Sequence, residues 1–209
     1  MNIPIVYEDD WLLIVNKPAG LLSVPTPKNE SRTLTSILNQ DLEESGKKFV
    51  RLYPCHRLDR ETSGLMIYAK GKSIQEKMMY AFRNRLVNKK YIAFVHGKLA
   101  HLTGQISSTI EGKSALTKYK VTQEKSNYSV LEVSPATGRT NQIRIHFKNI
   151  QHPLVGEDKF AFRRDFALRF KRICLDAKEL NFKHPITGKD LRISIDLALD
   201  LKDFLLKHD

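Results

Sequence analysis

The sequence predicts an α+β fold, a mixed and mainly antiparallel sheet flanked by a few helices. Three observations carry that prediction. Short apolar or alternating segments outnumber helical ones, the two kinds show no regular βα alternation, and turns centred on Gly or Pro separate neighbouring strands. A chain of 209 residues suits one domain with an ordinary core, in one body or two small lobes. Residues 1–209 are accordingly read as a single domain.

The elements follow in order. WLLIV at 11–15 is a short strand that stops at NKPAG, where Pro18 and Gly20 mark a turn. LLSVP resumes briefly before the polar loop PTPKNESR. From Thr33 to Glu44, Leu34, Ile37, Leu38 and Leu42 recur at helical spacing, with Gly46 as the stop. The run from Leu65 to Ala69 reads as a buried strand. Ser73 and Glu76 form an S-x-x-E capping box, opening a helix whose stripe is Ile74, Met78, Phe82 and Leu86. KKYIAFVHGKL (89–99), ALTKYKVTQ, YSVLEVS, CLDAKELNF and LRISI read as strands. Ile143, Phe147 and Ile150 share a helical face after the turn PATGR, and ALDLKDFLLKH closes the chain as an amphipathic helix.

Composition narrows the function. The 35 basic residues against 23 acidic give a formal charge of +12, a field that favours a polyanionic partner. The N-terminal MNIPIVYEDDW lacks the basic start of a signal peptide, and no apolar run approaches the ~18 residues of a spanning helix. No membrane association is expected. Two cysteines, Cys55 and Cys174, form neither a disulfide framework nor a CxxC metal site, which suits reduced thiols in the cytoplasm. Both GKS tripeptides lack the earlier glycine of a P-loop, and no GxGxxG or HExxH occurs. HRLD echoes the kinase catalytic loop, but neither DFG nor APE accompanies it.

What remains is CHRLDRETSGL at 55–65, two arginines, a histidine, two carboxylates and two hydroxyls ahead of the apolar LMIYA. Asp59 there is either a structural carboxylate serving nearby arginines or a reactive one at a strand edge. An unpaired charge beside a core is expensive, and an arginine partner keeps such a carboxylate ionised as a nucleophile or base. A second cluster, TGRTNQIRIH (137–146), also places arginines in a tight turn beside apolar residues.

HRLDRETSGL, KKYIAFVHG and TGRTNQIRIH, in this order and at about these intervals, resemble the signature motifs of the RluA family of RNA pseudouridine synthases. NKPAGLLSVP, HPLVGEDKF and RICLDAKELNFKHP resemble its flanking segments. The likeness spans nearly the whole chain, and the smaller members, those without a basic S4-type module, are the expected group. It implies a pseudouridine-synthase catalytic domain with a central RNA-binding cleft and a monomeric enzyme. The reaction would isomerise uridine in ribosomal or transfer RNA, with no cofactor and no metal. By resemblance Asp59 is the catalytic aspartate, Arg144 the arginine that pairs with it, and Tyr91 the ring that packs on the uracil. Arg57 would fill the space of the extruded base.

His56 and Arg139 belong to the same motifs, and Lys89, Lys90, Arg163 and Arg164 extend the expected RNA contacts. Lys47, Lys48, Arg51, Arg83, Arg85, Arg169, Lys171 and Arg172 complete the basic clusters. Two positions depart from the family pattern, Asp176 where a histidine is common and Phe160 where a tyrosine is common. Both are expected to alter local packing or RNA contacts without touching Asp59, Tyr91 or Arg144. A rival reading is an RNA-binding protein with a lapsed active site, which has no need of that trio. A nuclease or glycosidase would want a metal cluster or a second paired carboxylate.

Overall fold

The computed structural model describes residues 2–28, 30–46, 50–161, 166 and 168–208. Among them the chain forms ten strands and four helices, and it divides into two compact units. One comprises Met1–Val87 and Glu179–Ile195, the other Asn88–Lys178 and Asp196–Asp209. Every strand pairing whose register is described is antiparallel.

The first unit is built on β1 (Ile5–Glu8), β2 (Leu12–Lys17), β3 (Tyr53–Pro54) and β4 (Ser63–Ala69). β2 pairs with β1 and with β4, and β3 pairs with the end of β4. The unbroken apolar runs of β2 and β4 have a simple cause: both faces are covered. Leu12, Ile14, Leu65, Ile67 and Ala69 face one core cluster, while Leu13, Val15, Met66 and Tyr68 face another. Helix α1 (Leu34–Glu44) lays Leu34 and Leu38 on the second cluster. The Thr33 hydroxyl accepts from Ser36 N at 3.1 Å as its N-cap, at the start expected from the leucine spacing.

Helix α2 (Lys72–Arg83) covers the other face with Ile74, Met78 and Phe82. Two expectations fail here. The helix starts behind Gly71, so Ser73 lies within the first turn and caps nothing. The helix also ends at Arg83, and Arg85, with φ +59°, turns the chain before Leu86, which is 57% exposed.

The second unit holds β5 (Asn88–His96), β6 (Thr103–Ile110), β7 (Lys113–Glu124) and β8 (Tyr128–Pro135) in the order β5-β8-β7-β6. Period-two alternation again serves two cores. Ala93, Val95, Leu131 and Val133 pack with Ile143 and Phe147 of α3 (Gln142–Asn149), while Phe94, Tyr128 and Val130 pack with Leu201 and Phe204 of α4 (Leu199–Lys207). β9 (Leu175–Lys183) is divided between the units, and its latter part pairs with β10 (Asp190–Ser194) in the first. Asp176 is fully buried and accepts from Ala198 N at 3.1 Å, which fixes the start of α4. That gives the departure at position 176 a structural task.

Candidate active site

In the first unit the Asp59 loop links β3 to β4, and its backbone is held on both sides of the aspartate. Ser23 Oγ donates to Leu58 O at 2.8 Å and accepts from Leu58 N at 3.1 Å. On the other side Arg60 O accepts from Gly20 N at 2.8 Å and from Lys17 Nζ at 3.1 Å. The fully buried Lys17 ammonium also donates to Pro18 O and Leu21 O, at 2.9 and 2.7 Å. Thr62 N donates to Asp59 O at 3.1 Å, closing the turn, and Gly64 (φ +114°) takes a conformation L side chains rarely adopt as β4 begins. The half-buried Asp59 is thus the middle of three residues with constrained main chain, a rigid mount for a carboxylate.

His56 supports the same loop. Its Nε2 accepts from Ile67 N at 3.0 Å, and its ring packs on Phe82 with centroids 4.7 Å apart. That geometry makes it a turn-shaping group. Arg57 is exposed.

In the second unit Lys89 and Tyr91 share one face of β5, the face on which Ala93 and Val95 are buried. Tyr91 is half-buried against the core cluster that contains Ile143 and Phe147. The Lys89 ammonium reaches the PATGR turn, 3.6 Å from where a Cβ on Gly138 would lie. Burial pushes its pKa below the usual value. Lys90, on the opposite face, lies 3.2 Å from Glu132.

The 137–146 motif is organised by buried Gln142. Its Oε1 accepts from Thr137 Oγ1 at 2.6 Å and Arg139 N at 3.0 Å, while Nε2 donates to Leu116 O and Thr117 Oγ1 at 3.0 and 2.9 Å. The Arg139 side chain donates from Nε to Ser114 O at 3.2 Å. Asn141, left-handed at φ +53°, opens α3 and accepts from Arg144 Nη1 at 3.1 Å.

Arg144 itself is buried and bidentate on Glu157, with Nε to Oε2 at 2.7 Å and Nη2 to Oε1 at 2.6 Å. Burial alone would raise the Glu157 pKa. The Arg144 hydrogen bonds and charge, with the N–H groups of Lys159 and Phe160, outweigh it and hold the carboxyl below its usual range.

The RNA pseudouridylate synthase family model matches residues 11–149, a span that takes in the Asp59 loop, Tyr91 and Arg144. The chain belongs to this family. An RNA pseudouridine synthase is an isomerase acting on uridine in RNA, so the lapsed-binder and nuclease readings are not favoured. The dual-specificity RNA pseudouridine synthase RluA of Haemophilus influenzae is 35% identical, covering 90% of each chain. An uncharacterized RNA pseudouridine synthase of Bacillus subtilis, YlyB, is 33% identical over 98% of this chain and 72% of its own. Human RNA pseudouridylate synthase domain containing 4 superposes with a TM-score of 0.83 at 22% identity, over 98% of this chain and 92% of that one. That likeness speaks to the fold, and it agrees with the α+β architecture.

The family geometry needed more residues than its motifs advertise. Glu157, Lys17, Ser23 and Gln142 were not singled out from the sequence, although all four sit in quoted segments. Phe160 was expected to stand clear of the site residues, but its ring lies over the Arg144 guanidinium, 5.1 Å to the centroid. Arg172 was expected on the RNA-facing surface. It is buried instead, with Nε and Nη2 bidentate on Asp200 at 2.8 and 2.7 Å, and it ties the segment before β9 to α4. Arg163, Arg164, Lys47 and Lys48 lie outside the described residues.

Proposed function

We propose that this synthase forms pseudouridine at specific positions in ribosomal RNA, transfer RNA or both, with Asp59 as the reacting carboxylate. The observation that carries the assignment is the anchoring of the main chain on both sides of Asp59 by Ser23, Gly20 and Lys17, which fixes the mount of its carboxylate just ahead of the buried strand β4. Relatives support the substrate class: one is named for dual specificity and another as a ribosomal large subunit pseudouridine synthase.

In the isomerisation the N1–C1′ bond breaks and a C5–C1′ bond forms. C5 loses a proton and N1 ends with one, so nothing leaves the molecule and the step is redox-neutral. The chemistry therefore asks for neither cofactor nor metal. Attack at C1′, addition to the base and removal of a sugar proton all require Asp59 to be ionised. By resemblance Arg144 is the arginine that keeps the catalytic carboxylate ionised, Tyr91 packs on the uracil, and Arg57 fills the space of the extruded base. Lys89, Lys90 and Arg139, with Arg163 and Arg164, contribute to RNA binding. The reading includes a monomer working in the cytoplasm.

The test uses total RNA from a strain lacking the gene, with pseudouridine counted by nucleoside mass spectrometry. The parent protein is expected to raise the count. Asp59→Asn, close in shape but uncharged, is expected to leave it at background while binding RNA with the parent's affinity and salt dependence. Product from Asp59→Asn removes Asp59 from the chemistry.

A further inference from the structure

Beside the Asp59 loop the first unit carries a surface cavity of about 640 Å³, within the range of small-ligand sites. Gly20, Leu22, Glu30, Ser31, Arg32 and Arg60 are among its lining residues. It shares backbone with the Asp59 mount: Arg60 follows Asp59 directly, about 3.8 Å away between Cα atoms, and Gly20 N holds Arg60 O at 2.8 Å. The Gly20–Arg60 side of the wall is therefore held by the same main-chain contact as the aspartate.

Two of its lining residues carry guanidinium groups. Arg32 and Arg60 are exposed and offer planar donor sets that match phosphate oxygens. Leu21 and Leu22 supply apolar surface, and the exposed Ser31 a hydroxyl. Glu30 is the discordant member, but its oxygens are engaged locally. Oε2 accepts from Thr26 N at 3.0 Å and Thr26 Oγ1 at 2.8 Å, and Oε1 lies 4.0 Å from Arg60 Nη2. Those Thr26 hydrogen bonds hold the Glu30 pKa below its usual range, so it is charged at neutral pH. A charged Glu30 weakens an incoming phosphate and competes for Arg60.

We propose that this cavity seats the RNA nucleotide adjoining the target uridine, with its phosphate held by Arg32 and Arg60. The proposal rests on the RNA-modifying role of Asp59 and adds a place where the neighbouring residue is gripped. It also gives Glu30 a defined sign, that of a brake on binding.

The probe is a fluorescein-labelled decauridylate, with affinity measured by anisotropy across salt concentrations. Arg32→Ala and Arg60→Ala are each expected to weaken binding several-fold and to flatten the slope of log K against log salt by about 0.7, one phosphate contact on a single strand. Glu30→Gln is expected to tighten binding, and Arg32→Glu to weaken it more than Arg32→Ala. Unchanged slopes in both alanine variants overturn the proposal, and so does weaker binding by Glu30→Gln. The same preparations are assayed for pseudouridine on total RNA. A parent that makes product beside variants with unaltered slopes defeats the cavity alone. A parent that makes none defeats the functional reading and this proposal with it.

Discussion

The Asp59 loop and the Arg144 motif solve the same problem, holding a charged side chain still, by different means. Around Asp59 the described anchors act on main-chain atoms of the aspartate and its neighbours, through one hydroxyl, two amides and one buried ammonium. Around Arg144 they act on side chains, through Gln142 at the turn and Glu157 on the guanidinium itself. Main-chain anchoring fixes a mount whatever side chain it carries. Side-chain anchoring fixes the functional group directly and makes it depend on the charge of its partner. The first region should therefore tolerate loss of its own carboxylate, while the second should lose structure when either partner goes.

Gly156→Ala breaks the second region most severely. Gly156 precedes Glu157 at φ +82°, and a Cβ there would stand 1.8 Å from Arg172 O. Backbone meets backbone, so no rotamer change relieves it. The variant is expected to lack the cooperative unfolding of the second unit altogether, read by hydrogen exchange over 88–178. Parent-like protection there would remove Gly156 as a constraint. Arg144→Ala comes next. It strands a buried carboxylate, and breaking such a pair costs about 3–5 kcal/mol. Asp59→Asn should lose activity with little change in melting temperature. If the two variants melt alike, the distinction between the regions is wrong.

Ser23→Ala is the matching break in the first region, and a smaller one. It leaves Leu58 N and O without the Ser23 hydroxyl in a buried setting, about 1–3 kcal/mol. Because the hydroxyl positions main chain beside Asp59, turnover should fall more than RNA affinity does. Loss of affinity alone would place Ser23 elsewhere in the function.

The same contrast governs what could be read from the sequence. The buried strands β2 and β4 were legible because two covered faces leave an unbroken apolar run. α1 was legible because Leu34, Ile37, Leu38 and Leu42 recur at helical spacing. Ser73 misled because an S-x-x-E pattern does not say which residue is the cap, and Leu86 because a stripe of four-residue steps does not show where Arg85 turns the chain. The Asp59 motif was visible as a dense polar cluster, but its anchors were not. Lys17 and Ser23 act on carbonyl and amide groups 43 and 35 residues away, and main-chain acceptors leave no mark in a sequence. Arg172 reads like any other member of a basic run until Asp200 is seen to hold it.

Acid gives the mildest way to separate the regions, because the second contains groups whose stabilising form is lost as pH falls. His146 of the motif is fully buried, and neither ring nitrogen has a hydrogen-bond partner among the described residues. Burial disfavours its charged form and lowers its pKa from 6.5. The unfolded chain then binds more protons than the folded one as pH drops through 6.5, so stability falls from there downward. Burial brings His96 of the same unit from 6.5 to about 4, which acts with the same sign. Glu157 joins lower, since its depressed pKa makes its contribution full above 4.5 and lost as pH falls through the folded value. In the first unit, Asp9 and Glu30 are also held below their usual 3.8 and 4.5, so their contributions persist until more acidic conditions. Between pH 6.5 and 4.5 the second unit should therefore weaken first. Trp11, the single tryptophan, reports on the first unit by fluorescence, and exchange of peptides over 137–157, corrected for intrinsic rate, reports on the second. Earlier opening at 137–157 is the expected result, with His146→Phe narrowing the gap. Simultaneous opening of the two regions would show that protonation in the second is not felt locally, and the contrast between the two modes of anchoring would lose its pH signature.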